Sequence, residues 1–60
     1  MKYKYKEKQK VKVISPSVHP AFNQVGTIIS INKKHIICFY FVQFEDGKKY
    51  YFQEKELQKM

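Results

Sequence analysis

Two runs of aromatic and β-branched residues, joined by Glu45-Asp46-Gly47, limit the possible folds of this chain more than any other feature. Residues 36–44 are IICFYFVQF, and residues 48–52 are KKYYF. Such residues are enriched in strands, and an Asp-Gly pair between two strand-like runs is typical of a β-hairpin. The sequence therefore predicts an antiparallel hairpin at the centre of an all-β fold.

The register of this hairpin follows from which side chains it would bury. A change of one residue in register turns every side chain of a strand to the opposite face of the sheet. A two-residue turn at Asp46 and Gly47 would place Lys49 among the aromatic residues of the longer strand and leave Phe52 on the other face. A three-residue loop, with Gly47 in the left-handed region, gathers the aromatic side chains on one face, so we predict this loop. The inner face then consists of Tyr40, Val42, Phe44, Tyr50 and Phe52.

A strand and a loop are predicted in the first part of the chain. Residues 9–15 alternate polar and apolar side chains, which indicates a strand with Val11 and Val13 facing inward. Residues 15–24 contain two prolines, two serines and an asparagine, which is typical of a long loop.

The remaining segments complete the predicted fold. Residues 25–31, VGTIISI, indicate a second strand, and Gly26 near its start indicates a bulge or a close approach of the backbone. Residues 32–35, NKKH, predict a polar turn before the hairpin. Residues 53–57, QEKEL, predict one helical turn of 3₁₀ type that brings Leu57 into the core.

The segments VKVIS, NQVGTIISI and YFVQFEDGKKYYFQEKEL together resemble a small SH3-like barrel. The pattern is similar to the barrels of Tudor and KOW modules, to the small barrel subunit of photosystem I and to the barrel chain of ferredoxin-thioredoxin reductase. The resemblance covers about residues 10–58. It implies four to five antiparallel strands with a closing 3₁₀ turn. KOW modules bind RNA or ribosomal protein, whereas the photosystem I subunit and the reductase chain dock proteins. The residues that carry the resemblance are turn glycines and core positions, so they indicate the barrel and not its ligand.

The length of the chain allows one domain. With 60 residues, the folded chain buries only about 60% of the surface that it exposes when unfolded, so each core residue matters for stability. We predict that residues 10–60 form the barrel. Residues 1–9 form a basic leader or an extension of the first strand, and the resemblance does not include this segment.

The positive charge is concentrated at the N-terminus. The formal net charge is +7, and residues 1–12 contain six of the 12 lysines but only one acid. We call this alternating series the lysine ladder, and it consists of Lys2, Lys4, Lys6, Lys8, Lys10 and Lys12. A basic segment favours polyanions, although the ladder is equally typical of a solvated edge that lysine protects against aggregation. The chain has no arginine, so bidentate recognition of bases is not expected.

A second candidate surface follows from the hairpin register. Side chains on the far side of the hairpin from the core form an apolar row that a small sheet cannot bury, whereas Ile36 and Cys38 are expected to point inward. Such a row either becomes core in a strongly bent barrel or meets a partner. We call it the outer stripe, and it consists of Ile37, Phe39, Phe41 and Tyr51.

Catalysis and metal binding are not expected. His35 and Cys38 supply two ligand types, whereas a structural zinc site needs four ligands. No carboxylate pair with a histidine and no glycine-rich phosphate loop is present, so we expect neither an enzyme nor a cofactor. The single cysteine excludes an internal disulfide and favours a reducing cytoplasm. No apolar run is long enough for a membrane span, and no apolar segment of a secretory signal follows the basic N-terminus.

These observations leave three hypotheses. The first is a module that binds RNA or DNA mainly through backbone phosphates. The residues expected to take part are Lys2, Lys4, Lys6, Lys8, Lys10, Lys12, Lys33, Lys34, Lys49, Tyr3, Tyr5 and Tyr51. The second is a protein-docking subunit that uses the outer stripe. The third is a domain whose charge serves only solubility.

Overall fold

The computed structural model describes residues 3–60 and shows one antiparallel sheet of five strands. The strands are β1 (Lys10–Val13), β2 (Val25–Lys34), β3 (Ile37–Gln43), β4 (Lys49–Gln53) and β5 (Leu57–Lys59), and one 3₁₀ turn (Glu54–Glu56) lies between β4 and β5. The order in the sheet is β4-β3-β2-β1-β5. The predicted all-β class is therefore confirmed. Hydrogen bonds do not close the sheet between β4 and β5 in the part of the chain described, and the 3₁₀ turn connects these two edge strands.

The predicted hairpin register is confirmed. Tyr40 lies opposite Phe52, as predicted from the aromatic face. The backbone N–H of Phe44 donates to the carbonyl of Lys48 over 2.9 Å, which closes a loop of three residues. Gly47 has a φ of 86°, in the left-handed region where glycine avoids the clash of a Cβ atom.

The core lies on the inner face of the sheet and contains mainly the predicted residues. Val11 and Val13 are fully buried, and Leu57 enters the core after the 3₁₀ turn as predicted. The buried side chains are Tyr5, Val11, Val13, Ala21, Ile28, Tyr40, Val42, Phe44, Phe52 and Leu57. The loop between β1 and β2 covers one end of this core, where the His19 ring lies 4.8 Å from that of Phe52 and accepts a hydrogen bond from the Ala21 backbone.

The predicted turn at residues 32–35 is wrong in position. Strand β2 continues to Lys34, which pairs with Ile37, and the turn consists of His35 and Ile36. His35 has a φ of 58°, and Ile36 at the tip is 95% exposed instead of pointing inward. Cys38 is only half-buried and packs against the edge of the core. A two-residue turn leaves its tip outside the sheet, so parity along the strand does not apply to Ile36.

The backbone at Gly26 lies very close to β3, and a close approach was one of the two roles predicted for this glycine. A Cβ atom at this position would lie 2.6 Å from Cγ1 of Val42 and 2.8 Å from the backbone oxygen of Gln43. The irregularity of β2 lies further along, where the register with β3 shifts between Ile28 and Ser30. This bulge restores Ile31 to the inner side of the sheet, opposite Tyr40.

Residues 3–9 fold back onto the sheet and are not a continuation of β1. Tyr5 is only 3% exposed, and its hydroxyl donates to the carbonyl of Leu57 over 3.1 Å. Its ring meets that of Tyr40 edge to face, with centroids 5.3 Å apart. A turn with Lys8 at a φ of 72° then leads into β1, and the Lys8 N–H donates to the carbonyl of Ile28 over 2.7 Å. The start of the chain therefore contributes to the core.

Burial of Tyr40 makes stability sensitive to alkaline pH. Desolvation raises the pKa of Tyr40 above its usual 10.0, although the Tyr5 N–H that donates to its hydroxyl acts in the opposite direction. Tyr40 ionises more readily in the unfolded chain, so its contribution to stability is complete below pH 10.0 and decreases above it.

We therefore expect the urea midpoint of the Tyr40→Phe variant to fall less steeply than that of the wild type above this pH. The control is Tyr51→Phe, which removes the hydroxyl of an exposed tyrosine. The lysines, which titrate in the same pH range, are unchanged in both variants. The same slope in wild type and Tyr40→Phe would contradict the assignment.

Between residues 3 and 60, no helix is both long and apolar enough to cross a bilayer.

Candidate nucleic-acid interface

The outer stripe lies on the open face of the sheet, across β3 and β4. Phe41 and Tyr51 pair across the strands, and their rings are stacked with centroids 4.3 Å apart and an angle of 23°. Phe39 meets Tyr51 edge to face at 6.4 Å. Phe39 and Phe41 are half-buried, Tyr51 is 57% exposed and Ile37 is 43% exposed. The stripe is thus an ordered aromatic surface, and it is not absorbed into the core.

Two short polar side chains lie beside the aromatic rings on β2. The bulge places Ser30 opposite Phe41 and Asn32 opposite Phe39. The amide of Asn32 donates to the hydroxyl oxygen of Ser30 over 3.3 Å. On this side the cross-strand neighbours of Phe41 and Phe39 are thus polar, and the extra residue of the bulge, Ile29, is 38% exposed. Our sequence reasoning missed both residues, and the signal that could have found them is the consecutive pair Ile28 and Ile29, which breaks the alternation of β2.

Lysines surround the outer stripe. A cross-strand row runs from Lys10 through Thr27 and Gln43 to Lys49, and Lys49 is two residues from Tyr51 on the same face. Lys34 lies opposite Ile37 at the other end of the stripe. The lysines at outward positions of the sheet are therefore Lys10, Lys12, Lys34 and Lys49.

Acidic side chains are absent from every strand. All five acids lie in the leader, the hairpin loop or the 3₁₀ turn, and they are Glu7, Glu45, Asp46, Glu54 and Glu56. The strands thus combine lysines and aromatic residues without a negative charge. The exception at the border of this face is Glu45, which lines a shallow depression together with Lys10, Thr27 and Gln43.

The lysine ladder is not one continuous row. Lys2 lies outside the described residues, and only Lys10 and Lys12 are in a strand. Lys4, Lys6 and Lys8 are exposed in the folded-back segment, where a turn at residues 7–8 redirects the chain. The ammonium of Lys4 lies 4.0 Å from a carboxylate oxygen of Glu54 and 5.6 Å from the centroid of the Tyr5 ring, and the Lys4 side chain stays more than half exposed. The predicted alternating ladder is therefore corrected for the described residues: Lys10 and Lys12 lie in β1, whereas Lys4, Lys6 and Lys8 lie in the folded-back segment.

The predicted tyrosines also separate. Tyr5 is a core residue, so its ring is not available to a ligand, and its place in the predicted site is corrected. Tyr3 is exposed but belongs to the leader. Lys33 lies opposite Cys38 at the end of β2, on the face opposite to that of the outer stripe. Of the predicted residues, the structure brings together Lys10, Lys12, Lys34, Lys49 and Tyr51.

Within residues 3–60, no three His, Cys, Asp or Glu side chains come together in a way that could hold a metal ion.

No match to this chain was found among protein-family models, curated proteins or solved structures. The resemblance to SH3-like barrels therefore stays a prediction. The case for function depends on the geometry and charge of the outer face.

Proposed function

We propose that this protein is a non-catalytic module that binds nucleic acid through its phosphate backbone, with the outer face of the sheet as the contact surface. The observation that supports this most is the charge distribution, since lysines surround an aromatic stripe and all five acids lie outside the strands. Lysines that neutralise phosphates release condensed counterions, and this release favours binding without sequence preference. Lys4, Lys6 and Lys8 add long-range attraction from the leader. The proposed location is the cytoplasm, where thiols stay reduced, because Cys38 is a free cysteine.

A protein-docking function is the second candidate, and the exposure of Tyr51 and Ile37 favours it. An apolar surface of this kind also fits a protein partner. The two candidates differ in salt dependence, because an apolar interface tolerates salt, whereas phosphate contacts weaken steeply with it.

We expect labelled single-stranded DNA or RNA to bind at about 50 mM salt and to lose about 50-fold in affinity at about 200 mM, if four lysines each contact one phosphate. Fluorescence anisotropy measures both affinities. Replacing Lys10 and Lys49 by glutamine is expected to lower the salt slope by about 1.4, the contribution of two phosphates.

The matched control replaces Lys55 and Lys59 by glutamine, since both are exposed and lie off the outer face. This control changes the net charge equally and is expected to keep nearly the wild-type slope. Equal loss in both double variants would overturn the assignment to the outer face. Absence of binding at low salt would overturn the proposed function itself.

A further inference from the structure

The outer stripe has the geometry of a platform for unpaired bases. We propose, building on the function above, that the ligand is single-stranded nucleic acid and that its bases stack on the Phe41–Tyr51 pair while its phosphates meet the surrounding lysines. Every base has a π-face, so such stacking tolerates any sequence and needs no arginine. In a duplex the faces of the bases are covered by their neighbours in the stack, so duplexes can use only the lysines.

The stacked rings leave two sides open to a base. Tyr51 belongs to β4, an edge strand of the sheet, and is more than half exposed. On the opposite side, Phe41 borders Ser30, whose side chain is too short to cover the ring. A stack that already contains two rings at 4.3 Å can therefore continue in either direction across the sheet.

Polar groups beside the rings match the edges of bases. Ser30 and Asn32 lie next to Phe41 and Phe39, and Gln43 lies next along β3 from Phe41 on the same face. Hydroxyl and amide groups both donate and accept hydrogen bonds, so they can satisfy any base edge that stacking brings to them. Together with Lys34 and Lys49 at the two ends of the stripe, these polar groups favour a nucleic acid over an apolar protein surface as the occupant.

The dimensions of the lysine row fit a short single strand. The row from Lys10 on β1 to Lys49 on β4 crosses three gaps between neighbouring strands, so it spans about 14 Å at about 4.8 Å per gap. Phosphates repeat about every 3.4 Å along one strand of a duplex and are further apart in an extended single strand, so this span corresponds to at most about four nucleotides. Charge complementarity and the aromatic platform therefore point to the same occupant.

The test uses labelled single strands of about ten nucleotides, oligothymidylate and oligouridylate, a length within the usual range of single-strand binding sites. Their affinities are compared with that of a hairpin duplex of about ten base pairs. The variant is Tyr51→Thr with Phe41→Ile, which keeps β-branched residues in the strands. We expect the wild type to prefer the single strands, and the variant to lose tenfold or more for them while its affinity for the duplex changes less than about twofold. The matched control is Tyr3→Thr, at an exposed tyrosine off the sheet.

Tyr51→Thr alone is the second variant, because Tyr51 is exposed and its replacement leaves the core intact. A single strand that carries 2-aminopurine gives an independent reading, since stacking on an aromatic ring quenches its fluorescence. Equal binding of single strands and duplex by the wild type, or equal losses for both in the variants, would overturn stacking and leave the proposed function standing. No binding of any of these probes at about 50 mM salt would overturn both.

Discussion

Replacing Tyr5 by alanine is expected to lower the free energy of unfolding by about 3–5 kcal/mol, the usual loss for a large aromatic side chain in a core. A domain of this length has a total stability of roughly 3–9 kcal/mol, so the loss removes about a third of it or more. The change removes a buried ring that lies edge to face against Tyr40, and it also removes the hydroxyl that donates to Leu57. Urea denaturation, followed by circular dichroism, measures the loss.

Two variants separate the contributions of this side chain. Tyr5→Phe keeps the ring and removes only the hydrogen bond to Leu57, so we expect a loss of about 1 kcal/mol. Tyr3→Ala, at an exposed position two residues away, is expected to change stability by less than about 0.5 kcal/mol. If Tyr5→Ala were as stable as Tyr3→Ala, the leader would not be part of the core.

This role of Tyr5 changes how the leader can be tested. Deleting residues 1–8 would remove charge and core together, so a loss of binding after the deletion could come from unfolding alone. Point substitutions at exposed lysines avoid this problem. A leader that served only solubility would tolerate the deletion without loss of stability, which the burial of Tyr5 contradicts.

Replacing Gly26 by alanine is the second change with a large expected effect, a loss of about 1–3 kcal/mol in the free energy of unfolding. The new methyl group would lie 2.6 Å from Cγ1 of Val42, 2.8 Å from the carbonyl oxygen of Gln43 and 2.9 Å from Cδ1 of Phe44. The carbonyl belongs to the backbone of β3 and cannot move without disturbing the β2–β3 pairing. Urea denaturation again gives the measurement.

Gly47→Ala is the control, because its cost has a different cause. No atom lies within 4 Å of a Cβ there, but the φ of +86° strains any residue other than glycine. We expect a loss of about 1–2 kcal/mol from this strain. A stability of Gly26→Ala equal to that of the wild type would show that β2 and β3 do not approach as closely as described.

Much of the fold follows from local pattern. The hairpin register is predictable because only one loop length places Tyr40, Val42, Tyr50 and Phe52 together, and burial of aromatic surface decides between the two registers. The 3₁₀ turn and the burial of Leu57 follow from a short polar segment that ends in an apolar residue. These features depend on residues that are close in the sequence.

Features that depend on distant contacts could not be predicted. Tyr3 and Tyr5 each lie between two lysines, so no local signal distinguishes the exposed residue from the buried one. The burial of Tyr5 depends on Tyr40 and Leu57, which are 35 and 52 residues away. The turn at Lys8 likewise depends on a hydrogen bond to Ile28, so the leader resembled a strand.

The candidate site shows the same division. The outer stripe is predictable from parity along β3, and the structure keeps it on the surface. The row that joins Lys10 to Lys49 is not predictable, because it requires the pairing of β1 with β2 and of β2 with β3. The bulge that brings Ser30 beside Phe41 adds a further shift that alternation alone does not show.

The most direct test of the central claim is a titration of the ¹⁵N-labelled protein with a single strand of about ten nucleotides, monitored by amide chemical shifts in two-dimensional NMR. We expect the largest shifts at Ser30, Asn32, Phe41 and Tyr51, with smaller shifts at Lys10 and Lys49 and little change in the 3₁₀ turn. Shifts confined to the leader or to the 3₁₀ turn, or no shifts at all at low salt, would contradict nucleic-acid binding on the outer face.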